Sequence, residues 1–194
     1  MADAAHLLEH ARRLGVSEAV LLATEEVVVK EELAGRCREP RCENYGLSPG
    51  CPPHSGGPQG FRRLLKDYER VLFFQIEVPA PVLYSSDNRE LFQLLHEVAA
   101  GIEGEARHLG WNRARAFAGD SCKRLFCAEL KECPALSPGG VCRFPRLARQ
   151  SMSGYGIDVG HLMRRAGWEQ KMGKLAGDGG QGGTASVCGL VLLG

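Results

Sequence analysis

The octapeptide VLFFQIEV at residues 71–78 decides the fold. It is apolar and aromatic almost throughout and ends at Pro79, which cannot donate to a strand ladder, so it reads as a central strand. Downstream, residues 87–109 carry Leu91, Leu94, Leu95, Val98 and Ile102 on one helical face. Asp87 and Glu90 resemble a capping box at the start of that helix, and Gly101 and Gly104 loosen its second half. Upstream, Phe61, Leu64, Leu65 and Tyr68 also have helical spacing.

The remaining segments supply partners for these elements. Residues 3–14 form an amphipathic helix with Asp3 as cap, Leu7, Leu8, Ala11 and Leu14 on one face, and Gly15 as a left-handed stop. The runs AVLLA and VVV within residues 18–29 predict a buried strand that can bend into a second. Residues 113–118 read as a strand that runs straight into Cys122, and ASVCGLVLL at 185–193 as a last buried strand. Residues 157–166 read as a helix with Asp158 at its start. The Gly-rich stretch 173–183 lacks the strand-loop-helix setting and the Gly-Lys-Ser/Thr ending of a phosphate cradle, so it reads as a loop. Strands interspersed with helices predict an α+β fold: one small, roughly four-stranded sheet with helices packed on it. The expected organisation is a single domain, 1–194, with cysteine-rich loops at 36–55 and 120–146.

Bulk composition narrows the function classes. A chain of 194 residues that is 44% hydrophobic and 24% charged can build a core without disulfide staples. Its net charge of +1 gives no overall drive toward nucleic acid or an anionic membrane, and neither is expected as a partner. No run of about 18 apolar residues is present. MADAAHLLEHARRLGV contains acids and lacks a continuous apolar stretch, which makes it a poor secretion signal. A cytoplasmic location is expected, and there eight cysteines point to metal or redox chemistry rather than disulfides.

Seven of those cysteines form two groups. The downstream group, CKRLFCAELKECPALSPGGVC at 122–142, brings Cys122, Cys127, Cys133 and Cys142 within 21 residues. The upstream group, CREPRCENYGLSPGCPP, brings Cys37, Cys42 and Cys51. Structural zinc favours tight pairs two to four residues apart, often with histidine. Here the closest downstream pair, Cys122 and Cys127, is wider, and no histidine lies between residues 109 and 160. An iron–sulfur cluster accepts irregular spacing because four thiolates wrap a larger body, and Cys-Pro, seen at Cys51-Pro52 and Cys133-Pro134, recurs in cluster loops. Arg36, Arg38, Arg41, Lys123, Arg124, Arg143 and Arg146 crowd both loops, where cations stabilise thiolates. The upstream trio needs a fourth ligand or leaves a position open. His54 and Cys188 are the candidates, although a cysteine in an apolar strand more often behaves as a small hydrophobe. His6 and His10 stand four apart on a helix, a spacing that can chelate but usually marks solvated surface. Asp158 as a general base is a weaker reading than a helix-start carboxylate.

These motifs resemble a known family. CREPRCENYGLSPGCPP with FRRLLKDYERVLFFQIE, and AGDSCKRLFCAELKECPALSPGGVCRFPRLARQSMSGYGIDV, together spanning most of residues 36–160, are similar to the cysteine-rich predicted metal-binding proteins grouped as domain of unknown function 2284. The resemblance implies a cytoplasmic protein holding iron–sulfur clusters or another metal, with Cys37, Cys42, Cys51, Cys122, Cys127, Cys133 and Cys142 as ligands. It implies no reaction. The resulting expectation is one or two iron–sulfur clusters, of the [4Fe–4S] type, exchanging single electrons with a redox partner protein. Two alternatives stay open: a structural-zinc interaction module, and a small enzyme with an open iron site.

Overall fold

The computed structural model describes residues 2–85, 88–168 and 183–194. The first helix, α1 (Ala2–Arg13), buries Leu7 and Ala11 completely, and Gly15 at φ 93° turns the chain after it. Because α1 begins at Ala2, Asp3 lies inside its first turn rather than capping it; there its charge still opposes the positive helix end. Strand β1 (Glu18–Ala23) follows and stops at a 3-10 turn over Thr24–Glu26. The VVV run makes no second strand; only Val29 forms an isolated bridge, to Ile157. Short α2 (Glu31–Gly35) then leads into the first cysteine loop, and α3 (Gly57–Leu65) leads out of it.

Strand β2 (Arg70–Pro79) is the octapeptide with one residue added at each end. After α4 (Ala80–Tyr84) comes α5 (Arg89–His108), on which Leu91, Leu95, Val98 and Ile102 are buried while Leu94 stays exposed. The helix starts two residues later than the sequence pattern suggests, and the expected cap Asp87 lies outside the described residues. Strand β3 (Arg115–Ala118), α6 (Cys122–Phe126), β4 (Gln150–Ser151), α7 (Val159–Arg165) and β5 (Thr184–Leu193) complete the order. Of the Gly-rich stretch, only residue 183 lies within the described residues.

The sheet has five strands rather than four, in the order β1-β2-β5-β3-β4. All neighbours are antiparallel except β3 and β4. The extra strand, β4, is two residues long and carries no alternating apolar pattern, so nothing in its sequence announces it. β2 is an interior strand, but β5 holds the middle of the sheet. Alternation along the strands gives two apolar faces. Leu72, Phe74, Ile76, Val187 and Val191 pack with α1 and α5 on one side. Val71, Phe73, Phe117, Leu190 and Leu192 pack on the other, with Phe61 of α3, Tyr155 and Leu162 of α7. Phe73 and Phe74 are both fully buried, each burial contributing about 1.5–3 kcal/mol. Gly189 is required beneath Phe74, since a Cβ there would lie 2.3 Å from the ring. The α+β class is as expected, with helices on both faces of a mixed sheet. Among the described residues no helix is long and apolar enough to cross a membrane.

Candidate metal centre

The first cysteine loop is a chain of tight turns rather than a helix, as its prolines and glycines require. The backbone N–H of Cys42 donates to Cys37 O (3.0 Å), Tyr45 to Cys42 O (3.0 Å), and Cys51 to Ser48 O (3.2 Å). Gly46, at φ 80°, closes the loop by donating to Pro52 O (2.8 Å). The loop is seated on the segment after β4: Ser151 N donates to Gly50 O (3.2 Å), and a Cβ at Gly154 would lie 2.8 Å from the Pro52 ring. Ser151 is also the register partner of Ala118 at the end of β3. The first loop and the start of the second therefore meet at one end of the sheet.

The second loop begins where β3 ends. Asp120 has φ 63°, a left-handed conformation costly for a non-glycine residue, and its Oδ1 accepts from Ser121 N at 2.5 Å. Arg124 pairs with the same carboxylate and donates to Asn88 Oδ1 (2.9 Å), tying α6 to the start of α5. Lys123 is buried; its ammonium donates to Cys127 O (2.8 Å) and Leu130 O (2.6 Å). Phe126 and Phe144 stack 5.6 Å apart, so the loop's exit packs against its entry.

Every cysteine is a free thiol. Cys51, Cys127 and Cys133 are buried, Cys37, Cys122 and Cys142 half-buried, and Cys42 exposed. Burial is the main cause that raises the Cys37 thiol, with the Cys42 and Cys51 thiols adding to it. Burial also pushes Cys122 up to about 11. The Ser48 hydroxyl opposes that shift, while Cys51, Cys142 and Cys133 reinforce it. Ser48 Oγ is wholly buried and lies beside the Cys122 sulfur without meeting standard hydrogen-bond geometry. Cys127 is raised by burial first, then by Glu129, Cys133 and Cys142, with Arg143 opposing. The electrostatic influences on the thiols cross from one loop to the other, since Cys51 of the first loop helps to raise Cys122 of the second. The sequence treats the two groups separately and gives no sign of this junction.

A cavity of about 460 Å³ opens beside the first loop, with Cys37, Cys42 and Cys51 in its wall together with Ser121, Ser151 and Arg36. Ser121 is 3% exposed and its hydroxyl has no hydrogen-bond partner. Among the described residues, no three His, Cys, Asp or Glu side chains converge closely enough to hold one metal ion.

Of the other candidates, only Asp158 stands in the cavity wall. Cys188 sits in the apolar face of β5; burial alone pushes its thiol up to about 12, with no other thiol contributing. His54 is exposed and outside the cavity wall. His6 pairs with Glu105 (2.8 Å). Asp158 caps α7 by accepting from His161 N (2.9 Å) and pairs with Lys30 (2.9 Å), so its carboxylate is engaged in structure. Of the cations, Arg143 is neutralised by Glu129 (2.6 Å), whereas Arg41 lies over the Tyr45 ring at 5.7 Å.

The fold and site define a cysteine-rich α+β protein whose two thiol-bearing loops meet at one end of a mixed sheet. The model of the family "Predicted metal-binding protein", domain of unknown function 2284, matches residues 20–193. The chain belongs to that family. No curated protein and no solved structure matches it.

Proposed function

We propose that this protein binds iron–sulfur clusters through Cys37, Cys42, Cys51, Cys122, Cys127, Cys133 and Cys142 and exchanges single electrons with a partner protein. The observation carrying this reading is that seven free thiols stand on two loops docked at one end of the sheet through Gly50, Ser151 and Ala118. The donor chemistry fits: thiolates are the usual ligands of such clusters.

Bound there, a [4Fe–4S] cluster would supply one-electron redox chemistry. The chain's own residues hold and tune it. Lys123 fixes the second loop through the carbonyls of Cys127 and Leu130, and the Phe126–Phe144 pair shields the loop's base from water. Exposed Cys42, flanked by exposed Arg38 and Arg41, puts one thiol of the first loop at the surface. Such a rim suits brief docking of an acidic redox partner. A cytoplasmic setting keeps the thiols reduced.

The cavity favours a second reading. Its volume falls within the roughly 300–1,000 Å³ typical of small-molecule sites, and three thiols stand in its wall. A substrate could there meet an incompletely ligated iron held by Cys37, Cys42 and Cys51.

Anaerobic purification followed by iron, acid-labile sulfide and zinc analysis tests the proposal. A brown protein with matching iron and sulfide supports it. A colourless protein with stoichiometric zinc and no sulfide replaces it with a structural-zinc module. Small ligands that perturb the electron-spin signal of the iron form favour the second reading over electron transfer.

A further inference from the structure

On the other side of β4 from the thiols lies a separate cavity of about 340 Å³ that shares no wall residue with the first. Four arginines stand around it, Arg107, Arg113, Arg115 and Arg149, with a single carboxylate, Glu103. That imbalance is large for a chain whose net charge is +1. Glu103 is buried and divides its oxygens between two of the arginines: Oε1 lies 2.5 Å from Arg107 Nη2, and Oε2 lies 2.5 Å from Arg149 Nε. The second contact is close but not aligned as a hydrogen bond, so the buried Arg149 Nε–H keeps no proper acceptor. Arg115 donates to Gln150 Oε1 (2.5 Å) and lies over the Phe117 ring, whereas the Arg113 guanidinium is held outside this cavity by Asp67 O (2.6 Å) and the Tyr68 ring (5.7 Å). Neither has a carboxylate within ion-pair distance among the described residues.

We propose that this cavity is a binding site for the phosphate group of a small molecule. Three guanidinium groups, those of Arg107, Arg115 and Arg149, against one carboxylate leave about two positive charges around a space of small-ligand size. Glu103 is shared by Arg107 and Arg149, and Arg115 is held by the neutral Gln150, which fixes its position without cancelling its charge. Guanidinium forks match the tetrahedral oxygens of a phosphate through paired N–H donors. A dianion is favoured over a monoanion because each added negative charge meets the same fixed cations at no further ordering cost. The site does not depend on which metal the thiols hold.

The test is isothermal titration of the purified full-length protein with inorganic phosphate and, separately, with glycerol 3-phosphate. Sodium chloride at matched ionic strength serves as the control. Saturable binding of either phosphate species, absent with chloride, supports the site, and the tighter of the two identifies its source as free phosphate or a phosphomonoester. Arg115→Gln should weaken that binding tenfold or more, whereas Arg113→Gln should change it little, both with circular dichroism and melting temperature close to the parent. No binding beyond the chloride control overturns the proposal, as does unchanged affinity in Arg115→Gln or an equal loss in the two variants.

Discussion

The backbone N–H of Arg149 donates at 3.0 Å to Nδ1 of His96, which is buried in the middle of α5. That acceptor role fixes the proton on Nε2, which donates to Gly119 O at 2.9 Å. One neutral imidazole thus holds both ends of the second cysteine loop, just before Cys122 and just after Cys142.

His96 should make stability pH-dependent. Burial, the largest cause, holds its pKa below the ordinary 6.5; the Gly119 bond and Asp120 oppose this and Arg149 assists. A depressed pKa contributes stability that is complete above about pH 6.5 and is lost as pH falls through the folded-state value. Urea melts of the metal-free protein between pH 7.5 and 5 should show this decline. His96→Ala should remove it and cost about 2–4 kcal/mol by leaving the Gly119 carbonyl and the Arg149 amide unpaired. An unchanged acid slope in that variant would assign the dependence to other groups.

Lys123→Met should lower stability by about 2–4 kcal/mol, because a buried ammonium that serves two carbonyls would be replaced by a side chain that serves neither. Hydrogen exchange should rise over residues 122–130 before it rises in the sheet. Uniform loss of protection would contradict a local role.

The raised thiols at Cys37, Cys122 and Cys127 predict two opposite pH effects. Their folded pKa values lie above the ordinary value, so the thiols' contribution to the stability of the metal-free protein is complete below about pH 8.5. That contribution should be lost as pH rises toward about 11, the value for Cys122. Metal loading should instead strengthen with rising pH, since each bound thiolate must release a proton. Calorimetry in buffers of different ionisation enthalpy counts those protons. Release of none would mean that the thiols do not bind the metal.

Cys142→Ser should lose about one cluster's worth of iron and sulfide while Cys188→Ser keeps the full complement. Metal content unchanged by the first substitution would remove the second loop from the site.

Much of the fold was legible from period alone. The VLFFQIEV strand, the long helix with Leu91, Leu95, Val98 and Ile102, and the C-terminal strand each occupy the expected residues because their apolar spacing matches the burial they meet. The fifth strand was not legible: Gln150 and Ser151 are strand-like only because β3 offers them an open edge. Within the site, the cysteines stand out by type, yet their meeting across 71 residues from Cys51 to Cys122 depends on tertiary docking through Gly50 and Ser151. Lys123 read as a thiolate counter-charge, but burial turned it toward carbonyls. His96, in a helix whose neighbours are apolar, gave no signal of its clamp.

The placement of β5 between β2 and β3 has a consequence for biogenesis. The antiparallel pair β1–β2 and the parallel pair β3–β4 are joined in the sheet only through β5, which follows them all in the chain. A nascent chain that stops short of residue 184 lacks the strand that joins them, and the sheet beneath both cysteine loops closes only after β5 has been made.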